Sequence, residues 1–232
     1  TDIDLLYLTN KKFKSIVVTG TNGKSTTCKL ISHLLKKNKF KVLLGGNIGT
    51  PILDLIITKN TYVVIEASSF QLAHSKFICP DYAFLLNITN DHLEWHGNMI
   101  NYVNSKLKIF ISQKKNNFAL INEKLKKTFK KRNFKSKLII PKVENYKKIK
   151  SQIQNNYLKL SINDENISFV YSFSKFLKIN KKDFITAINS FVGLSHRYEI
   201  FLKKKNIIFI NDSKATSFEA AKYALLNSEN VY

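Results

Sequence analysis

Residues 15–27 read Ser-Ile-Val-Val-Thr-Gly-Thr-Asn-Gly-Lys-Ser-Thr-Thr. A short β-branched run meets a turn flanked by glycines, and Lys24 with three hydroxyl residues then opens an amphipathic segment. Few folds accommodate that order: a buried strand has to deliver a tight loop to the N-terminus of a helix. Gly20 and Gly23 let backbone amides come close to a ligand, and a helix N-terminus favours an anion. Lys24 offers a point charge to terminal phosphates, and Ser25 a hydroxyl to Mg²⁺, as in phosphate-binding loops generally. The usual fingerprint has a glycine six residues before the lysine, where this chain has Val18. Position therefore carries the reading, because Gly-Lys-Ser falls on the strand-to-helix junction. The competing reading is an ordinary Asn-Gly turn.

Around this feature the chain alternates strands and helices. Strands are expected at 16–19, 41–44, 62–67 and 82–88, with a helix over 24–37 and a short one over 51–57 opening on Pro51. The glycine-rich turn at 45–49 separates the second strand from that short helix. Polar residues cluster directly after each strand, which describes an α/β fold with a doubly wound, mostly parallel sheet. Further on, helices are expected at 98–111, 169–177 and 182–192, strands at 118–122 and 137–141, a hairpin from 199–202 and 207–211, and a helix over 216–226. Residues 1–14 read as a polar connecting tail.

The 232 residues, 44% of them hydrophobic, suffice for one good core and part of a second domain. No apolar run approaches the roughly 20 residues of a membrane span, and no leader pattern precedes the first strand. Cys28 and Cys79 lack ligand spacing and fit reduced thiols of a cytoplasmic protein. The formal charge of +22 is almost all lysine, arginine occurring only at 132 and 197. Nucleic-acid readers use arginine and gather basic residues on one face with aromatics. Here the lysines are spread among Asn and Ile, so no nucleic-acid partner is expected.

Glu66 at a strand end, His92 in the loop after the next strand and Lys106 in a helix can reach one sheet edge if the strands are parallel. Glu66 and Ser25 could then hold Mg²⁺, a hard cation. Each has a plainer reading: a strand-end ion pair for Glu66, a loop histidine for His92, a solvated helix lysine for Lys106. His92 and His96 share a zinc-like spacing but lack a third ligand nearby.

The stretches TGTNGKST, GGNIGTP, EASSFQL, NITNDHLEWH, NYVNSKLKIF, GLSHRYE and INDSKATS together resemble the Mur ligases. Within that family they are most similar to the branch that adds D-glutamate to UDP-N-acetylmuramoyl-L-alanine. The resemblance implies an ATP phosphate loop made of Gly20, Thr21, Asn22, Gly23, Lys24, Ser25 and Thr26. It implies magnesium ligands at Ser25, Glu66, His92 and a carbamylated Lys106, two ions in all. Asn47 and Ser68 match substrate contacts. Asn163 and Asn166 match an HNxxN pair near the adenine, with Ile162 where the pattern has histidine. Arg197 and Asp212 match nucleotide contacts. Lys214 and Thr216 match residues facing the acyl intermediate and the incoming glutamate.

The expectation is thus a monomeric, cytoplasmic ligase of peptidoglycan precursor synthesis acting through an acyl phosphate, with Lys24, Glu66, His92, Lys106 and Lys214 catalytic. By domain, 1–14 would be a remnant linker from a uridine-binding domain, 15–194 the central ATP-binding domain and 195–232 the start of a C-terminal domain. A folylpolyglutamate synthase and a non-catalytic basic nucleotide-binding module are the alternatives.

Overall fold

The computed structural model describes residues 1–9 and 13–215 together with Ala221 and Leu225. Helix α1 (Asp2–Leu8) leads into β1 (Phe13–Thr19), α2 (Lys24–Lys37), β2 (Val42–Gly46), β3 (Thr61–Glu66), α3 (Ser69–His74) and β4 (Tyr82–Leu85). Next come α4 (Leu93–His96), α5 (Met99–Ile111), β5 (Phe118–Ile121), α6 (Lys126–Lys131), β6 (Lys137–Ile139), α7 (Val143–Lys150) and α8 (Asn156–Lys159). Helices α9 (Asp164–Phe176) and α10 (Lys181–Asn189) precede the hairpin strands β7 (Glu199–Lys204) and β8 (Ile207–Asn211).

Strands β1 to β6 form one sheet in the order β2-β3-β1-β4-β5-β6, and every pair in it is parallel. A parallel sheet covered on both faces calls for unbroken apolar strands, and Ile16, Val17 and Val18 are all fully buried. Period-2 alternation sends Ile16, Val18, Val64, Phe84 and Leu120 to one face, under α2, α7, α9 and α10. Val17, Val63, Ile65, Ala83 and Leu85 go to the other, under α1, α3 and α5. The chain runs outward from β1 to β2, returns through β3 and crosses to β4 on the far side of β1. The switch point lies at β1, and a crevice opens beyond its C-terminal end.

Three local expectations are corrected. Residues 2–8 are a helix rather than an irregular tail: Thr1 and Asp4 close a capping box, Ile3 and Leu6 are buried, and Asp4 accepts the amides of Lys76 and Phe77. The helix expected over 51–57 is a single 3-10 turn, Ile52–Asp54. Helix α9 begins five residues before the expected start at 169, because its first turn is polar, with Glu165 and Asn166 on the crevice cavity and Asp164 paired with Lys150, and so hides its apolar period. The helix expected over 216–226 lies outside the described residues except at Ala221 and Leu225, and Thr216 itself lies outside them.

Candidate active site

Loop 20–23 leaves β1 at the switch point and enters α2 through Gly23, whose φ of 83° is left-handed. Helices α3, α5 and α10 close their first turns with Ser68, Asn98 and Asn180 side chains, whereas no side chain caps α2. Its first amides are left for a ligand, and an anion suits them. Asn87, just past β4, clamps the loop: its Oδ1 accepts the Asn22 amide at 2.8 Å, its Nδ2 donates to the Asn22 carbonyl at 3.2 Å, and its own carbonyl accepts the Thr21 amide at 3.0 Å. Thr21 Oγ1 lies 3.0 Å from the Tyr102 hydroxyl and accepts the Thr89 amide.

Lys24 turns back on its loop, donating to the carbonyls of Gly20 at 2.9 Å and Thr21 at 2.7 Å. Lys106 reaches the same Gly20 carbonyl at 2.8 Å, with its Nζ 4.6 Å from the Tyr102 ring centre. The plain reading of Lys106 as a solvated helix lysine is overturned, since only 1% of it is exposed. Burial and the neighbouring Lys24 charge lower its pKa from 10.5 to about 7. Burial likewise lowers Lys24, against the pull of Glu66 and Asp91.

Parallel register places Glu66 beside Val18 and Gly46 at the crevice edge. It has no ion-pair partner among the described residues, so the strand-end salt bridge is not made. Its Oε1 accepts from Asn47 Nδ2 at 3.0 Å, and its buried Oε2 has no hydrogen-bond partner. An orphaned buried carboxylate oxygen invites a cation, and with the Ser25 hydroxyl it fits magnesium. Among the described residues no three His, Cys, Asp or Glu side chains cluster as a metal site, so phosphate and water oxygens would complete the shell. His92 takes the left-handed conformation, half-exposed between Asp91 and Glu94, its ring centre 4.8 Å from that of Phe70. His96 instead is buried against Phe70 and Ser69, not turned with His92 toward a common ion. Ser68 spends its hydroxyl on the Gln71 capping box.

Asn163, Asn166, Arg197 and Asp212 converge on one cavity of about 500 Å³, which runs from Asn22 and Gly23 toward Leu125 and Ile162. Asn166 accepts from Thr27 at 3.4 Å, and Asn163 donates to the Tyr157 carbonyl at 2.8 Å. Arg197 and Asp212 come from the hairpin, where Asp212 accepts the Tyr198 amide at 3.0 Å. Lys214 is exposed, and among the described residues its side chain makes no hydrogen bond or ion pair with this group. Sequence reasoning passed over Asn87, Tyr102, Asn122 and Glu165. For Asn87 and Asn122 the signal was available, a polar residue directly after an apolar strand at the crevice edge.

The family model for the Mur ligase middle domain matches residues 18–189. UDP-N-acetylmuramoylalanine--D-glutamate ligase of Rickettsia prowazekii is 37% identical over 251 residues, covering 100% of this chain and 56% of the relative. Its namesake from the Wolbachia of Brugia malayi is 35% identical, with 100% and 58% covered. The chain thus spans a little over half the length of these curated relatives. Among solved structures, MurF of Acinetobacter baumannii superposes with a TM-score of 0.73 at 18% identity, over 94% of this chain and 55% of that one. Escherichia coli FolC with ADP reaches 0.68 at 17%, over 99% and 70%. At such identities the superpositions speak for the fold alone, and they do not separate the two activities. The D-glutamate ligases are told apart by sequence, at twice the identity. Six parallel strands, an uncapped phosphate loop at their switch point and a family match over most of the sequence lead to one conclusion: this chain belongs to the Mur ligase family.

Proposed function

We propose that this chain carries the ATP-activating part of an amide-bond ligase that joins D-glutamate to UDP-N-acetylmuramoyl-L-alanine. The observation that carries this reading is the buried charge at the sheet edge, where two lysines share the Gly20 carbonyl and Glu66 keeps an unpartnered oxygen. Such an arrangement is costly without a ligand and suits one that brings both phosphates and a cation. The relatives' names supply the substrates.

A carboxylate is a poor acyl donor. The γ-phosphoryl group passes from ATP to the alanyl carboxylate, leaving ADP; the glutamate amine then attacks the acyl phosphate, loses a proton and displaces phosphate. The free amides of α2 and the Lys24 ammonium neutralise charge on the moving group and align it. Ser25 and Glu66, with His92 alongside, would hold magnesium, which would supply charge screening for the phosphate oxygens. Lys106 is held near neutrality, and a neutral amine is the form that adds carbon dioxide: the Nζ–C bond forms as one C–O π bond opens, one proton leaves to solvent, and the neutral amine becomes an anionic carbamate that could serve a second ion. In this reading Asn47 and Ser68 serve the muramoyl substrate, Asn163, Asn166, Arg197 and Asp212 the nucleotide, and Lys214 together with Thr216, the latter outside the described residues, the incoming amino acid.

Phosphate release decides the reading, measured on a protein extended to the relatives' full length. Turnover should require UDP-N-acetylmuramoyl-L-alanine and D-glutamate together. Turnover with a folate and L-glutamate instead would overturn the substrate assignment and leave the phosphate loop standing.

A further inference from the structure

Tyr102 is fully buried in α5, and no step proposed above uses it. A phenol taken out of water needs a partner for its hydroxyl, and among the described residues that partner is Thr21 Oγ1 of the phosphate loop, 3.0 Å away. The Thr21 hydroxyl has one proton and two lone pairs. It accepts the Thr89 amide at 3.0 Å and faces the Thr89 carbonyl at 3.3 Å, so one lone pair remains, and the Tyr102 O–H donates to it. The loop is thereby tied from two sides. Asn87 holds the backbone of Thr21 and Asn22 from the end of β4, and Tyr102 holds the Thr21 side chain from α5.

The ring of Tyr102 has a second neighbour. Lys106 follows it by four residues, one helical turn along the same face of α5, and long helical side chains lean toward the N-terminus. Lys106 Nζ therefore passes 4.6 Å from the ring centre on its way to the Gly20 carbonyl. Lys106 makes no ion pair among the described residues, and Lys24, a like charge, shares that carbonyl. Against that repulsion the protonated amine has one carbonyl and the ring face, which is negative by its quadrupole. His96 and His92 pack edge to face with the same ring, at 5.1 and 6.5 Å between centres. One buried side chain thus borders the phosphate loop, Lys106 and the two histidines.

Resting on the ATP-site reading above, we infer that Tyr102 is a positioning residue that sets the phosphate loop and Lys106 in one frame, its hydroxyl fixing Thr21 and its ring fixing Lys106 Nζ over the Gly20 carbonyl. Loss of the hydroxyl alone loosens the loop. Loss of the ring also releases Lys106.

The test uses this 232-residue chain and three substitutions. Tyr102→Phe removes only the hydroxyl, and Tyr102→Leu removes the ring as well. Ile109→Val, at a fully buried α5 position in the apolar core, lowers stability without touching the loop. Three quantities are read: hydrogen exchange of the Thr21 and Asn22 amides by NMR, labelling of Lys106 by acetic anhydride followed by mass spectrometry, and calorimetric affinity for the Mg²⁺ complex of ATP. In Tyr102→Phe, exchange should speed up and ATP affinity fall by about 2- to 10-fold, the range for one neutral hydrogen bond, while Lys106 stays as protected as in the unaltered chain. In Tyr102→Leu the same loosening should come with labelling of Lys106 about 10-fold faster, as for the loss of a desolvated cation–π contact. Ile109→Val should leave all three readouts unchanged. If it moves them as far as Tyr102→Phe does, Tyr102 acts through stability alone and the inference falls. An unprotected Lys106 in Tyr102→Phe, or a protected one in Tyr102→Leu, would overturn the role of the ring. Should the leucine variant not fold, Tyr102→Phe decides by itself, since it has to loosen the loop and spare Lys106. Failure of the unaltered chain to bind the ATP complex would refute the ATP-site reading, a separate result, because exchange and labelling are read without nucleotide.

Discussion

The cavity at the crevice has two unlike walls. On the sheet side, Asn22, Asn87 and Asn166 are tied to backbone or neighbouring side chains, and the strands beneath them are buried on both faces. On the hairpin side, Arg197 and Asp212 flank β7 and β8, whose Phe201, Ile207 and Ile208 are each more than half exposed. Arg197 Nε is buried with no hydrogen-bond partner among the described residues. The first wall is fixed by register: sliding β3 by one residue would turn Glu66 away and exchange Val64 and Ile65 between the two packed faces. Among the described residues the second is held mainly by its own two-strand ladder, a unit of marginal stability by itself. Site residues on the two walls should therefore respond differently to damage.

Stability gives the largest contrast. Phe84 is fully buried, with Phe169 and Phe173 at 6.0 and 5.7 Å between ring centres, and Phe84→Ala should cost about 3–5 kcal/mol in urea unfolding. Phe209→Ala on the hairpin should cost less than about 1 kcal/mol. Equal losses would mean that the hairpin unfolds as part of the core, and the comparison would break. Function comes next. Lys24→Ala should lower phosphoryl transfer by about 100- to 1,000-fold, the loss of one preorganised donor at developing charge. Arg197→Ala should lower nucleotide affinity by roughly tenfold, as for one charge-assisted hydrogen bond. The smallest effect is a slope. With Lys106 near 7 in the folded protein and 10.5 as its ordinary value, the unfolded chain binds the extra proton between them. Stability therefore rises with pH across that window, by at most about 1.4 kcal/mol per pH unit, and is lost as pH falls toward 7. Denaturation of Lys106→Met against the unaltered chain at several pH values should show that slope disappear.

What the sequence made legible follows the same division. Residues 15–27 specified strand, loop and helix because the elements are local and every position agrees, from the β-branched run to the spacing of Leu30, Ile31, Leu34 and Leu35. The parallel sheet followed from apolar runs each ending in polar residues. Lys106 was invisible to local reasoning, since a lysine in MINYVNSKLKIFI looks solvated until the sheet edge covers it; only the resemblance singled it out. Helix α1 was missed because its two buried residues, Ile3 and Leu6, are too few to set a period, and Asp4 gains its meaning from amides more than 70 residues away. Glu165 was missed for the related reason that its partners come from two other strand ends.

Gly23 is locked twice: by its left-handed backbone and by Asn166 Oδ1, which would sit 2.2 Å from an added Cβ. The Asn166 side chain would have to shift or shrink before any other residue could occupy the position, and the backbone strain would remain even then. A lineage drifting at this pair has no viable intermediate on one side, since a larger residue at 23 collides before 166 can shrink. The only open order is 166 first. Two positions 143 residues apart in sequence thus share one mutational path, and a saturation library at 23 in the present background should return glycine alone.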